Sequence, residues 1–180
     1  MTRTTQTEMA VLGGLSVAPM TGYALRQAIS DVLGHFWSES FGQIYPTLSQ
    51  LESQGRVIRN GTERSSPYAI TQAGLERLRE LLAEPVQQVP PRNGLLLRLF
   101  FGRQLGAEVC ASLVRDARHD AVGQLAGFAA IREEIASEPD TELEHPYWLL
   151  TVSAGEHAAR AAIAWADVAL AALDENSAPT

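Results

Sequence analysis

Apolar residues in the first half of the chain recur at helical spacing in three short runs, and after Gly55 the periodicity switches. Met9, Leu12 and Leu15, with Val11, form a first stripe that stops ahead of Ala18-Pro19, and the polar residues 1–7 are expected to fray. Thr21 is placed to cap a second helix carrying Leu25, Ile29, Val32 and Phe36 at spacings of three and four, with Gly34 closing or loosening it. A third helix carries Ile44, Leu48 and Leu51 on one face, and Gly55 stands where a left-handed C-terminal cap belongs. Pro46 lacks a donor for the Gly42 carbonyl, so this helix either begins near residue 43 or kinks there. Residues 56–59 and 67–70 then read as short strands around seven polar, turn-rich residues. Thr71 caps a fourth helix with Leu75, Leu78 and Leu82 directed inward.

Pro85, Pro90 and Pro91 bracket a Val-Gln-Gln-Val stretch that reads as a linker over 85–91. Beyond it the pattern predicts helices over about 93–105, 107–136 and 146–173. The middle one keeps Val114, Ala117, Ala121, Leu125, Phe128, Ile131 and Ile135 at spacings of three and four. The last is alanine-rich, with a strip of Ala154, Ala158, Ala161, Trp165, Val168 and Ala172 that suits close packing on another helix across a two-fold axis. The expectation is a mainly α protein with an N-terminal winged helix-turn-helix domain over 8–84 and a helical dimerisation domain over 92–176.

Composition changes this picture little: 46% of residues are hydrophobic and 19% charged. Cys110 has no partner for an internal disulfide and reads as a small buried apolar residue. No apolar run approaches the roughly 20 residues of a membrane span. Met9–Ala18 lacks the basic leader of a signal peptide, so a cytoplasmic protein without membrane attachment is expected. The distribution of charge is more informative. Residues 1–83 carry seven Arg and seven Asp/Glu, whereas residues 84–180 carry seven Arg and fourteen Asp/Glu, so the whole net −7 lies in the second half. A first half without excess acid is free to approach phosphates, and with no Lys in the chain every cationic contact must come from Arg.

In a winged helix-turn-helix the second helix of the pair enters the major groove. Here that is the 40–54 helix, whose apolar face must pack inward, leaving Gln43, Pro46, Thr47 and Gln50 outward. Gln suits the N6 and N7 atoms of adenine, and the carbons of Thr and Pro suit a thymine methyl. Ser40 is grouped with these residues, while Tyr45 either touches DNA or wedges between helices. Gly22 and Tyr23 at the start of the second helix are candidates for a phosphate, and Arg64 at the wing tip for a phosphate or minor groove.

The runs Leu12-Gly13-Gly14-Leu15, Met20-Thr21-Gly22-Tyr23, Gly34-His35-Phe36-Trp37-Ser38, Gly42-Gln43-Ile44-Tyr45-Pro46-Thr47-Leu48, Leu51-Glu52-Ser53-Gln54-Gly55 and Tyr68-Ala69-Ile70-Thr71-Gln72-Ala73-Gly74 together resemble the PadR family of repressors over about residues 9–83. Residues 95–102 more weakly resemble the start of the longer, multi-helix C-terminal domain of one branch of that family. The resemblance implies a homodimer held chiefly by C-terminal helices and bound to a palindromic operator in double-stranded DNA. It also implies, for some members, release by a small aromatic or lipophilic inducer. The wing departs from the family in being short and poor in basic residues.

Trp148 and Trp165, with His157 between them, offer stacking surface and one polar handle for such an inducer, although aromatics at helical spacing are more often core. The four histidines lack metal-ligand spacing, and no cofactor is expected. Glu156-His157 and His119-Asp120 are helix neighbours pointing about 100° apart, so neither is a dyad. With no nucleophile motif or phosphate loop either, the chain does not read as an enzyme. The rival expectations are a DNA-binding regulator without a ligand pocket and an adaptor that docks another protein through its helical domain.

Overall fold

In the computed structural model the described residues are 3–34, 37, 41–61, 63, 65–86, 92–137 and 143–175. The chain forms two compact units, Met1–Val89 and Pro90–Thr180. Both are built mainly from helices, and the first adds a two-stranded sheet. Of the linker residues 85–91, those from 87 on lie outside the described residues.

In the first unit, helix α1 (Arg3–Val17) begins well before the apolar stripe read from the sequence. The expected fraying of residues 1–7 is therefore corrected for 3–7, residues 1 and 2 lying outside the described residues: Thr7 is only 1% exposed, because it continues the stripe of Val11 and Leu15 by one turn. Helix α2 (Gly22–Ala28) is capped by Thr21, whose hydroxyl accepts the Ala24 N–H at 3.1 Å. A Cβ on Gly14 would lie 2.5 Å from Leu25 Cδ1, so glycine is what lets α1 and α2 approach this closely. After α2 the chain runs into a π turn, Ile29–Leu33. Widening the turn rotates the apolar face, and Leu33 and Trp37 pack on the core beyond Ile29. The Val32 side chain and Phe36 lie outside the described residues.

A 3₁₀ turn, Phe41–Gln43, leads into helix α3 (Ile44–Ser53), which puts Pro46 in the first turn, where its missing N–H breaks no helical bond. The helix ends on Gly55, at φ +68°: the Gly55 N–H donates to Glu52 O and the Arg56 N–H to Leu51 O. Strands β1 (Val57–Arg59) and β2 (Tyr68–Ile70) pair antiparallel, with Val57 opposite Ile70 and Arg59 opposite Tyr68. Met20, in the turn between α1 and α2, adds a bridge the sequence did not announce, exchanging both backbone hydrogen bonds with Tyr68 at 3.0 and 2.8 Å.

Helix α4 (Gln72–Ala83) starts at Thr71, whose hydroxyl accepts the Gly74 N–H at 3.1 Å and donates to the Gly55 carbonyl at 2.8 Å. A Cβ at Gly74 would meet the Arg56 carbonyl oxygen at 2.1 Å, so this end of α4 presses directly on the sheet backbone. The inward residue of the last turn is Leu81, 0% exposed, and not Leu82, which is 63% exposed. Adjacent leucines fit a helical stripe equally well, and the angle at which α4 lies on α1 selects between them. Around this core Glu8 of α1 ties the layers together, accepting from Arg56 at 2.6 Å and Arg77 at 3.2 Å.

In the second unit, helix α5 (Gly94–Phe100) and a 3₁₀ turn, Gly102–Gln104, precede the long helices α6 (Ala107–Ser137) and α7 (His145–Glu175). The latter two form an antiparallel hairpin. Its seam holds Val114, Ala121, Phe128 and Ile135 against Val152, Ala159 and Ala166. The Phe128 ring lies where a side chain at residue 155 would stand, since a Cβ on Gly155 would be 2.2 Å from Phe128 Cζ. Arg118 bonds Asp167 at 2.6 Å and Arg132 bonds Glu156 at 3.1 Å, both across the seam. Helix α5 buries none of its residues, and Leu97, Phe100 and Phe101 are 62%, 82% and 59% exposed.

Two outcomes test this packing. Leu81→Ala should lower unfolding free energy by about 2–5 kcal/mol while Leu82→Ala costs under about 0.5 kcal/mol, measured by denaturant titration followed by circular dichroism. The Arg132 guanidinium, by its hydrogen bond, holds the Glu156 carboxyl below the ordinary carboxylate value of 4.5, with Arg160 adding to the effect. A depressed folded-state value gives stability that is complete above the unfolded value and lost as pH falls through the folded one. The α6–α7 hairpin should therefore weaken progressively below about pH 5, and Glu156→Gln should flatten that part of the pH–melting curve.

Candidate nucleic-acid interface

Helix α3 divides its circumference sharply. Ile44, Thr47, Leu48 and Leu51 are buried at spacings of three, one and three, and they form the stripe that holds the helix in the unit. Thr47, expected to face outward, is only 7% exposed: it stands three residues after Ile44 and four before Leu51, inside the apolar arc. Gln43, Tyr45, Pro46 and Gln50 are exposed, as expected. Ser49 is also exposed and was missed. The signal was available in its spacing, three residues after Pro46 on the side away from Leu48. The outward face thus offers two amides, the Ser49 and Ser53 hydroxyls, a phenol and a proline ring, with no charge.

Tyr45 reaches toward the other helix of the pair. A Cβ on Gly22 would lie 2.7 Å from Tyr45 Cε1 and 3.4 Å from Leu48 Cδ1, so Gly22 makes the notch that seats the ring. The ring is nevertheless 49% exposed, and Tyr23, the residue after Gly22, is 66% exposed. Tyr45 therefore wedges against α2 while its ring remains half exposed. Ser40 and Arg64 lie outside the described residues.

Several arginines of this unit serve the fold. Arg56 and Arg77 hold Glu8, and Arg59 bonds Glu52 at 3.4 Å while donating to the Tyr68 hydroxyl. Arg79, in contrast, is exposed on α4.

The inducer candidates of the second unit do not converge within one chain. Trp148 packs on the Phe128–Ile135–Val152 cluster, and Trp165 lies 17 positions further along the same helix, roughly 25 Å away at 1.5 Å per residue. His157 is exposed, its Nδ1 2.7 Å from the Ser153 carbonyl oxygen. An open groove of about 260 Å³ occurs elsewhere, lined by Leu97, Arg98, Phe101, Gln104 and Leu105.

Residues 11–80 match the model of the transcriptional regulator PadR-like family, and residues 91–174 match that of the virulence activator alpha C-terminal domain. The chain is 26% identical to a probable transcriptional regulator of Mycobacterium tuberculosis, over 92% of this chain and 96% of that protein. It is 25% identical to the negative transcriptional regulator PadR of Bacillus subtilis, over 93% and 97%. Among solved structures, a PadR-like transcriptional regulator from Bacillus cereus superposes with a TM-score of 0.81 at 25% identity, covering 95% of this chain and 99% of that one. Bacillus subtilis PadR in complex with operator DNA gives 0.78 at 21% identity over 92% and 98%. The same protein in complex with p-coumaric acid gives 0.75 at 21% over 93% and 98%.

The division of α3 into two faces makes an expected pattern of stability. Thr47→Ala should cost about 1 kcal/mol, whereas Gln43→Ala, Ser49→Ala and Gln50→Ala should each stay within about 0.5 kcal/mol, read from denaturant midpoints. Equal losses at all four positions would mean that α3 is rotated from the orientation described.

Proposed function

The chain belongs to the PadR-like family of transcriptional regulators, and from that premise we propose that it binds a palindromic operator as a homodimer and represses the promoter it covers. The observation that carries the reading is the uncharged, hydrogen-bonding face of α3, Gln43, Ser49 and Gln50 with Tyr45 and Pro46, standing free while the opposite face is fixed in the core. An amide side chain makes two hydrogen bonds to an adenine edge in the major groove, and the proline ring suits a thymine methyl. The exposure of Tyr23 and Tyr45 supports phosphate contacts of the kind that neutral donors supply. Arg64 is the wing's cation in this reading. Binding that leans on neutral donors fits a unit without excess positive charge, and it predicts a shallow salt dependence.

The outer face of α7 supports the two-fold assembly. Ala154, Ala158, Ala161 and Val168 are exposed there with Tyr147 and Leu150, while the opposite face of the same helix is buried on α6. A helix apolar on both faces requires two partners, and one chain provides one. Repression is the direction favoured by the name of the Bacillus subtilis relative, a negative regulator. A planar aromatic acid is the inducer class favoured by that protein's p-coumaric acid complex. Such a ligand acts by favouring a dimer in which the two recognition helices no longer match successive major grooves.

Selection of bound sequences from random duplex DNA with the purified protein should return a palindrome with half-site centres about one helical turn apart, or a small multiple of it. On that duplex Gln43→Ala and Gln50→Ala should each lose about 1–3 kcal/mol of affinity and relax preference at one symmetric pair of positions. Deleting residues 146–180 should abolish the dimer in sedimentation. Recovery of no bound duplex at any salt concentration would favour the adaptor reading instead.

A further inference from the structure

Arg59 closes β1 directly opposite Tyr68 of β2. Its guanidinium lies 4.7 Å from the centroid of the Tyr68 ring and donates to the Tyr68 hydroxyl. It also reaches Glu52 Oε2, at 3.4 Å, on the last turn of α3. Tyr68 is 5% exposed and exchanges both backbone hydrogen bonds with Met20, immediately before the Thr21 cap of α2. One side chain therefore joins the end of the recognition helix to both strands of the wing, and through Tyr68 to the start of the other helix of the pair. The arrangement leaves the buried Nε of Arg59 without a partner among the described residues. A guanidinium directed at DNA would be exposed; this one is turned inward, with its side chain 28% exposed.

We propose that Arg59 is a positioning residue, which holds the wing at a set angle to the exposed face of α3 so that both meet the same half-site. A guanidinium suits the task because its Nη2 has donors for both Glu52 and the Tyr68 hydroxyl while its carbon lies over the ring. The role rests on the DNA-binding reading above, but its mechanical part is independent of DNA. The Asn60 N–H, which donates to Pro67 O at 2.9 Å just beyond β1, reports on that part.

The test uses Glu52→Gln and Arg59→Gln in the full chain, by amide hydrogen exchange of the free protein and by hydroxyl-radical footprinting on the selected duplex. Glu52→Gln is the decisive variant, because it leaves the arginine in place and adds no negative charge. Both variants should speed exchange at residues 57–60 and 68–70 by about tenfold, leaving α4 and the α6–α7 hairpin unchanged. Both should lower operator affinity by about tenfold, remove protection at the flanks of each half-site and keep it at the centre. The double variant should be no worse than either single one. Wild-type behaviour of Glu52→Gln in both measurements overturns the proposal. So does faster exchange spread over the whole first unit, which would make Arg59 a general stabiliser. A wild-type protein that footprints no duplex defeats the DNA-binding reading alone, and the locality of exchange then decides whether the brace exists.

Discussion

The first unit depends on the burial of four residues of one short helix. Ile44, Thr47, Leu48 and Leu51 occupy a single arc of α3, and their contact with α1 and α2 determines which side of the helix is left to solvent. A ten-residue helix has little stability of its own, so this packing creates the element as well as orienting it. The positions of Gln43, Ser49 and Gln50 follow from what the other arc must do. So does the Tyr45–Gly22 contact, because seating Leu48 and Tyr45 against α2 requires the backbone there to have no Cβ in the way.

The electrostatics of the unit follow the same economy. Arg56 and Arg77 converge on Glu8, and Arg59 is shared between Glu52 and Tyr68, so much of the positive charge is neutralised inside the structure. These links brace the sheet from three sides: α1 through Glu8, α3 through Glu52 and the α1–α2 turn through Met20. In the proposed DNA-binding mode this leaves recognition to hydrogen bonds and shape more than to net attraction, in keeping with an overall charge of −7.

The second unit is organised by a different imbalance. The α6–α7 seam is satisfied within the chain, with Phe128 set onto Gly155 and arginine–carboxylate pairs on either side. What remains is a surplus of apolar surface on α5 and on the outer arc of α7, where Leu97, Phe100, Tyr147, Leu150 and Val168 are all exposed. In the proposed homodimer, a symmetric partner answers that surplus.

Read alone, the sequence was sufficient for the order of elements, the Thr21 and Thr71 caps and the Gly55 terminus, while it left open whether α3 starts near residue 43 or kinks there. These are local: each follows from the conformational limits of one residue or from periodicity over one or two turns. It was also sufficient for most of the outward face of α3. It misplaced Thr47, Leu82 and the polar start of α1, and it gave no sign of the Met20–Tyr68 bridge or of the π turn after α2. In each of these the deciding contact lies far away in the chain. A threonine within an apolar arc, or one of two adjacent leucines, is compatible with facing either way until a second helix lies against it. A backbone bridge uses no side chain and so leaves no mark in the residue pattern. The separation of Trp148 from Trp165 was legible in the sequence, since 146–173 reads as one helix on which 17 positions are more than four turns apart. Local rules can determine where a helix starts and stops; only packing against a neighbour determines which way it faces.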